Sequence, residues 1–334
     1  MKRTWFLLLM LVLLSLGCGE RSKDVVVVYT SVDQVFSEPI LRDFENATGI
    51  KVKALYDTEE TKSTGVLNRL IAEKAHPQAD VFWSGDPVRA IVLKNKGVST
   101  AYSSPMAADI DPVFKDSAGY WTGFSARARV LLYNKKLLTK EDVPTSIFDL
   151  TKEKYKGKVA IANPLFGTTT FQISALFSVL GDEKAKEFMT DLKTNRVVVA
   201  TSNGDVKKQV VKGQVACGLT DTDDAHEAMQ EGANVDIVFL DAQGLGSLIM
   251  PNTVSLIRSG PNPEKGKKLM DYLLSKETEA KLAASCAQMP LHKGVVVPPG
   301  VPSLDKIQPM KIDYGKTAQK LEEIQNYLKE WAEN

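Results

Sequence analysis

The chain of 334 residues carries 42 Lys and Arg against 41 Asp and Glu, a formal net charge of +1, which excludes a nucleic-acid binder relying on bulk positive charge and an acidic disordered tail. Apolar residues at 43% and charged residues at 25% are the mix of a soluble globular protein with length enough for two domains. Three Cys and three His are too few for a disulfide-dense scaffold or a Cys/His zinc cluster.

The first segment in chain order is a leader. Lys2 and Arg3 precede an apolar run over residues 5–14, about half of the ~20 residues that span a bilayer, so residues 1–17 read as a signal peptide. The run ends in Leu14-Ser15-Leu16-Gly17-Cys18, and a small residue followed by Cys resembles the lipobox of bacterial lipoproteins, although Ser15 stands where that box usually has Leu. The resemblance implies that Cys18 is acylated and becomes the mature N-terminus; the alternative is ordinary secretory cleavage near Gly17. Removing residues 1–17 takes away Lys2 and Arg3 and no acid, leaving 40 basic against 41 acidic residues, net −1. No later run of ~18 apolar residues follows, and residues 18–24 suit a flexible tether. Cys217 and Cys286 would then lie in an oxidising compartment, either paired or separately buried.

Residues 25–29 form a β-branched run typical of a strand buried on both faces in a parallel sheet. Phe36, Ile40, Leu41 and Phe44 then recur at helical spacing up to Thr48-Gly49, and residues 50–55 alternate as a second strand. A helix around Val66, Leu67, Leu70 and Ile71, a strand over 79–83 and a turn at Ser84-Gly85-Asp86-Pro87 extend the alternation, which predicts an α/β architecture. Residues 127–134 read as a strand passing into a second α/β unit. That unit has strands at 158–162, 197–200, 215–219 and 235–239, a helix from Thr168 to about Leu180, and another carrying Ala185, Phe188, Met189 and Leu192 on one face. A strand over 252–257 leads back to the first unit, and helices carrying Leu269, Met270, Leu273 and Leu274, then Leu321, Ile324, Leu328 and Trp331, close the chain.

Several pieces in this order resemble the extracellular solute-binding proteins of ABC importers, particularly the ferric-iron-type branch. They are Val28-Tyr29-Thr30-Ser31, Thr48-Gly49-Ile50-Lys51-Val52, Gln78-Ala79-Asp80-Val81-Phe82-Trp83, Leu131-Leu132-Tyr133-Asn134, Gly167-Thr168-Thr169, and the run from Asp271 to Glu277. The resemblance implies a two-lobed periplasmic-binding-protein type II fold, with residues 25–123 and 251–334 in lobe 1, residues 124–250 in lobe 2, and a ligand cleft between them that closes on binding. It implies a lipid-anchored, monomeric capture protein facing the periplasm or cell exterior. Its partners would be an ABC permease of the inner membrane and iron or a related small ligand, with a ferric or other metal ion and a synergistic anion as the candidate bound group.

In such folds the residues just after each strand face the crevice. Thr30 and Ser31 offer hydroxyls and N–H groups or simply cap a helix, and Ser84 and Asp86 offer a ligand group or an N-cap. Gly167, Thr168 and Thr169 open a helix, where free N–H groups favour an anion or are merely capped. In iron-binding relatives the matching loop holds the anion accompanying the metal. Arg127 and Arg129 alternate on a strand, share a face, and either bind a phosphate or carboxylate or lie at the surface. After the strand at 215–219 come Thr220, Asp221, Thr222, Asp223, Asp224 and His226. Iron-binding relatives place two adjacent tyrosines here; this chain has Asp223 and Asp224, which weakens ferric binding yet keeps hard oxygen ligands. Asp223 and His226 share a helix face, and the acidic turn alternatively suits the helix dipole.

A second combination uses the same residues: the Gly167 end holds a phosphonate, phosphate or carboxylate while Asp221 or Asp223 pairs with an amine. Enzyme chemistry is not expected, because neither a Gly-x-Ser-x-Gly elbow nor a His-Glu-x-x-His pair occurs and His76, His226 and His292 lack a recognisable setting. A ligand-sensing partner of a membrane receptor is the competing class.

Overall fold

The structure is a computed structural model that describes residues 24–333 apart from 59, 60 and 62; the expected signal peptide, Cys18 and all of the tether but Asp24 lie outside the described residues. β1 (Val25–Thr30) lies between β2 (Lys51–Tyr56) and β3 (Val81–Ser84), parallel to both, and Val26 and Val28 are fully buried, which is why its valine run tolerates no polar alternation. α1 (Gln34–Thr48) buries Ile40, Leu41 and Phe44 and stops at Gly49, whose φ of 73° suits glycine and whose N–H bonds to Glu45 O. α2 (Thr64–Ala72), α3 (Pro87–Asn95) and the two-residue β4 (Ser99–Thr100) follow, then the 13-residue β5 (Thr122–Asn134), buried along its whole length.

The second unit comprises β6 (Val159–Ala162), α4 (Gly167–Leu180), α5 (Asp182–Thr194), β7 (Val198–Ala200), α6 (Asn203–Val211), β8 (Cys217–Asp221), α7 (Thr222–Gln230) and β9 (Val235–Val238). β10 (Ile249–Ile257) returns to the first unit, and α8 (Pro263–Leu273), α9 (Lys276–Cys286), α10 (Tyr314–Glu323) and α11 (Gln325–Glu333) complete it. Several details differ from the sequence expectation. The strand expected over 79–83 runs over Val81–Ser84, and β10 starts three residues early and passes through Pro251. No element was expected where α6 lies; it buries only Val206 and Val210 and depends on Ser202, whose Oγ accepts the Asp205 N–H at 3.1 Å.

The strands form one curled sheet in the order β2-β1-β3-β10-β5-β8-β6-β7, with β4 on β10 and β9 on β5. β5 is the seam: residues 122–128 pair with β10, and residues 129–134 pair with β8 and β9. Two lobes therefore share one strand. β5 changes partner from β10 to β8 between Ala128 and Arg129, where the Arg129 N–H bonds Leu248 O at 2.9 Å.

α10 packs against α3 of one lobe and α4 of the other. The Trp331 indole N–H donates to Met189 O at 2.8 Å, and Lys320 pairs with Asp182 at 3.0 Å. Cys217 and Cys286 are separate buried thiols, each pushed up to about 12 by burial. No helix among the described residues is long and apolar enough to cross a membrane.

Candidate functional site

β1, β6, β7 and β8 each hand over directly to a helix, so the N-termini of α1, α4, α6 and α7 converge at the lobe junction. There they surround a cavity of ≈ 510 Å³. Lobe 1 contributes Ser31, Asp33, Phe36 and Gly85; lobe 2 contributes Asn163, Gly167, Thr168, Thr169, Asn203, Asp221, Asp223 and Asp224; Arg127 enters from the seam.

Arg127 and Arg129 are both buried and engaged, so the surface alternative does not hold. Arg127 spans the lobes: Nη2 donates to Gly85 O at 2.5 Å, while Nη1 lies 3.2 Å from Asp221 and 3.3 Å from Asp223. Burial opposes its charge, but the carboxylates of Asp223 and Asp221 outweigh that and raise its pKa further. Its Nε, buried, has no partner among the described residues. Arg129 donates to Gln172, Thr168, Asn203 and, at 2.6 Å, to Asp221. Asp221 also accepts from Thr168 Oγ1 at 2.8 Å and Asn203 Nδ2 at 3.2 Å, which leaves it saturated.

Asp223 differs from Asp221. Burial, with Asp221 and Asp33 adding to it and Arg127 opposing, pushes its carboxyl up to about 6. Asp224 accepts the Thr220 hydroxyl at 2.9 Å. One oxygen from each of Asp221, Asp223 and Asp224 can be chosen so that all three lie within 4.8 Å of one another.

α4 carries the opposite polarity. Its N-cap is Phe166, its first turn holds no acid, and the N–H groups of Gly167, Thr168 and Thr169 find no acceptor among the described residues, as the opening turn of a helix dictates. Gly167 has φ 59° with nothing within 4 Å of an added Cβ, so backbone conformation rather than space calls for glycine there.

Of the residues singled out from the sequence, Ser31, Arg127, Gly167, Thr168, Thr169, Asp221, Asp223 and Asp224 are brought together at this cavity. Thr30, Ser84, Asp86 and Thr222 do not line it. Thr30 Oγ1 accepts the Val32 N–H, Ser84 Oγ the Asp86 N–H and Thr222 Oγ1 the Ala128 N–H. Asp86 is the N-cap of α3 and pairs with buried Arg89 at 2.7 Å, so the capping alternative holds. His226, on the same helix face as Asp223, borders a smaller neighbouring cavity of ≈ 290 Å³. Sequence reasoning missed Asp33, Phe36, Asn203, Lys207 and Lys208 at the main cavity. Asn203 follows β7 as Thr168 follows β6, so the strand-end rule could have found it.

The sequence profile of bacterial extracellular solute-binding proteins matches residues 40–308. The chain is 25% identical over 302 residues to iron uptake protein A1 of Synechocystis sp., covering 87% of this chain and 81% of that one. It is 29% identical over 263 residues to a putative 2-aminoethylphosphonate-binding periplasmic protein of Salmonella typhimurium, covering 75% and 73%. Iron-bound HitA of Pseudomonas aeruginosa superposes with a TM-score of 0.83 at 22% identity, covering 91% of this chain and 99% of that one, a likeness of fold that fits the two-lobed type II architecture. With the profile spanning well over half of its length, this chain belongs to the family of bacterial extracellular solute-binding proteins.

Proposed function

We propose that the protein captures a small organic anion with a cationic end, an aminophosphonate or amine-bearing phosphate, for an ABC importer. The observation that carries this reading is the split polarity of the cavity. On one wall the acid-free, uncapped N-terminus of α4 offers three N–H groups, which favour an anion. On the other, Asp223 and its neighbour Asp33 offer negative charge to an ammonium group. The aminophosphonate named in the Salmonella relative is a ligand of this kind.

Binding closes the two lobes on the ligand, and the closed form engages the permease. A lipid on Cys18 holds the protein at the membrane, facing the periplasm or cell exterior; mass spectrometry of the native N-terminus would show the acyl mass, and an unmodified mature end refutes it.

A metal cargo is the second reading, favoured by the three clustered carboxylates and by the iron named in the cyanobacterial relative. Against it, Asp221 is already committed to two guanidiniums, and no tyrosine lines the cavity among the described residues. Calorimetry with 2-aminoethylphosphonate, inorganic phosphate and ferric citrate separates the two. Tightest binding of the aminophosphonate, weakened at least tenfold by Asp223→Ala, is expected. Binding of ferric ion alone, one per chain and lost in Asp223→Ala, would replace this reading with the metal one.

A further inference from the structure

A residue outside the cleft bonds the strand that carries the two arginines. β5 and β10 lose one step of register between Pro251 and Asn252: Asn252 faces Phe124 while Pro251 faces Ala126, so Ser125 is an extra residue on β5. Its φ of 44° is in the left-handed region, where such a bulge ordinarily has glycine. Side chains alternate along a strand, so one inserted residue decides which way every following residue turns. With the bulge in place, Arg127 and Arg129 face the carboxylates at the cleft, and Ala126 and Ala128 lie in the apolar cluster of lobe 1. Without it the two sets would exchange, driving both guanidiniums into that cluster.

Serine does not favour this conformation by itself. The surroundings hold it there. The Ser125 N–H donates to Glu279 Oε1 at 2.7 Å, Ser125 O accepts from Asn252 Nδ2 at 2.7 Å, and Ala126 and Met289 exchange both backbone bonds at 2.7 Å. Glu279, on α9, is fully buried; its other partners are the N–H groups of Leu291 and His292, both at 2.9 Å. One carboxylate thus fastens the bulge to α9 and to the loop that follows it.

We propose that Glu279 is a positioning residue for the cleft: by holding Ser125 in the bulge, it sets the face of β5 on which Arg127 and Arg129 lie. Its importance for ligand capture rests on the proposed cargo; its hold on the two arginines does not.

The test reads the arginine Nε–H signals of the full mature chain by 1H–15N NMR with no ligand added, assigned with Arg127→Lys and Arg129→Lys. In Glu279→Ala both signals shift or broaden, and in the double variant Glu279→Ala/Ser125→Gly they return to their wild-type positions, because glycine takes the bulge conformation unaided. A role confined to fixing the 291–292 loop would not be rescued by a change at 125. Unchanged signals in Glu279→Ala, or displaced signals in the double variant, overturn the proposal. Should Glu279→Ala fail to fold, the double variant decides: folded with wild-type signals supports the assignment, and unfolded or displaced refutes it. Titration with 2-aminoethylphosphonate is the second arm, with at least a tenfold loss in Glu279→Ala that the double variant recovers. Absence of binding by the wild type would refute the cargo and leave the arginine signals to judge Glu279.

Discussion

Asp221→Ala removes the acceptor on which the seam network depends, and the structure fixes the size of the effect. Asp221 is 1% exposed and accepts from Arg129 at 2.6 Å, Arg127 at 3.2 Å, Thr168 at 2.8 Å and Asn203 at 3.2 Å. Arg127 keeps Asp223 and Gly85 O, but Arg129, 2% exposed, loses its only carboxylate partner among the described residues. Stranding one partner of a buried ion pair costs about 3–5 kcal/mol. At roughly 2–4 °C per kcal/mol for domains of comparable size, the melting temperature falls by on the order of 10 °C. Urea unfolding of the wild type, Asp221→Ala, Arg129→Met and the double variant measures this directly. Because the double variant leaves no unpaired charge from this pair, its cost should fall short of the sum of the single costs by at least about 2 kcal/mol. A loss under about 1 kcal/mol in Asp221→Ala, or simple additivity, would refute the claim that Arg129 depends on Asp221.

Three further outcomes follow from the same geometry. Asp223, pushed up to about 6, stays protonated in the folded chain at pH values where the unfolded chain has released the proton. Its contribution to stability is therefore present at pH 4 and lost as the pH rises through about 6, so the melting temperature of Asp223→Asn should gain on that of the wild type between pH 4 and 7; parallel curves would contradict the shift. Asp86→Ala, which strands buried Arg89 and uncaps α3, should lower stability by about 3–5 kcal/mol while calorimetric affinity for 2-aminoethylphosphonate stays within twofold, as befits a residue that does not line the cavity. Gly167→Ala, at φ 59° with open space around it, should cost about 1–2 kcal/mol in urea unfolding through backbone strain alone.

The sequence made the parallel strands legible because their valine and alanine runs have few other homes, and it placed α4 through the Gly-Thr-Thr opening. The spacing of Arg127 and Arg129 predicted a shared face and met it. It could not show that this face turns to the cleft, because the bulge that turns it is made by a serine where glycine would have been the signal. Asp86 was decidable in principle: Asp followed by Pro at the first helical position is a strong N-terminus pattern. Thr30, Ser84 and Thr222 turn to backbone N–H groups for a shared reason, since a short hydroxyl side chain after a strand can bond one before it reaches a ligand. α6 escaped notice because two valines one turn apart make too faint a stripe, and with it went Asn203, Lys207 and Lys208.

The position of β10 between β3 and β5 has a consequence for how the chain is made. The whole second lobe is synthesised between β5 and β10, so when β1, β2 and β3 have emerged, the edge of β3 that will pair with β10 is bare. Closing that edge means joining residues 169 to 175 positions apart, which is slow for entropic reasons. Half-made chains thus expose a bare apolar strand edge to one another for as long as the second lobe takes to appear, and the yield of native protein depends on keeping nascent chains apart during that interval.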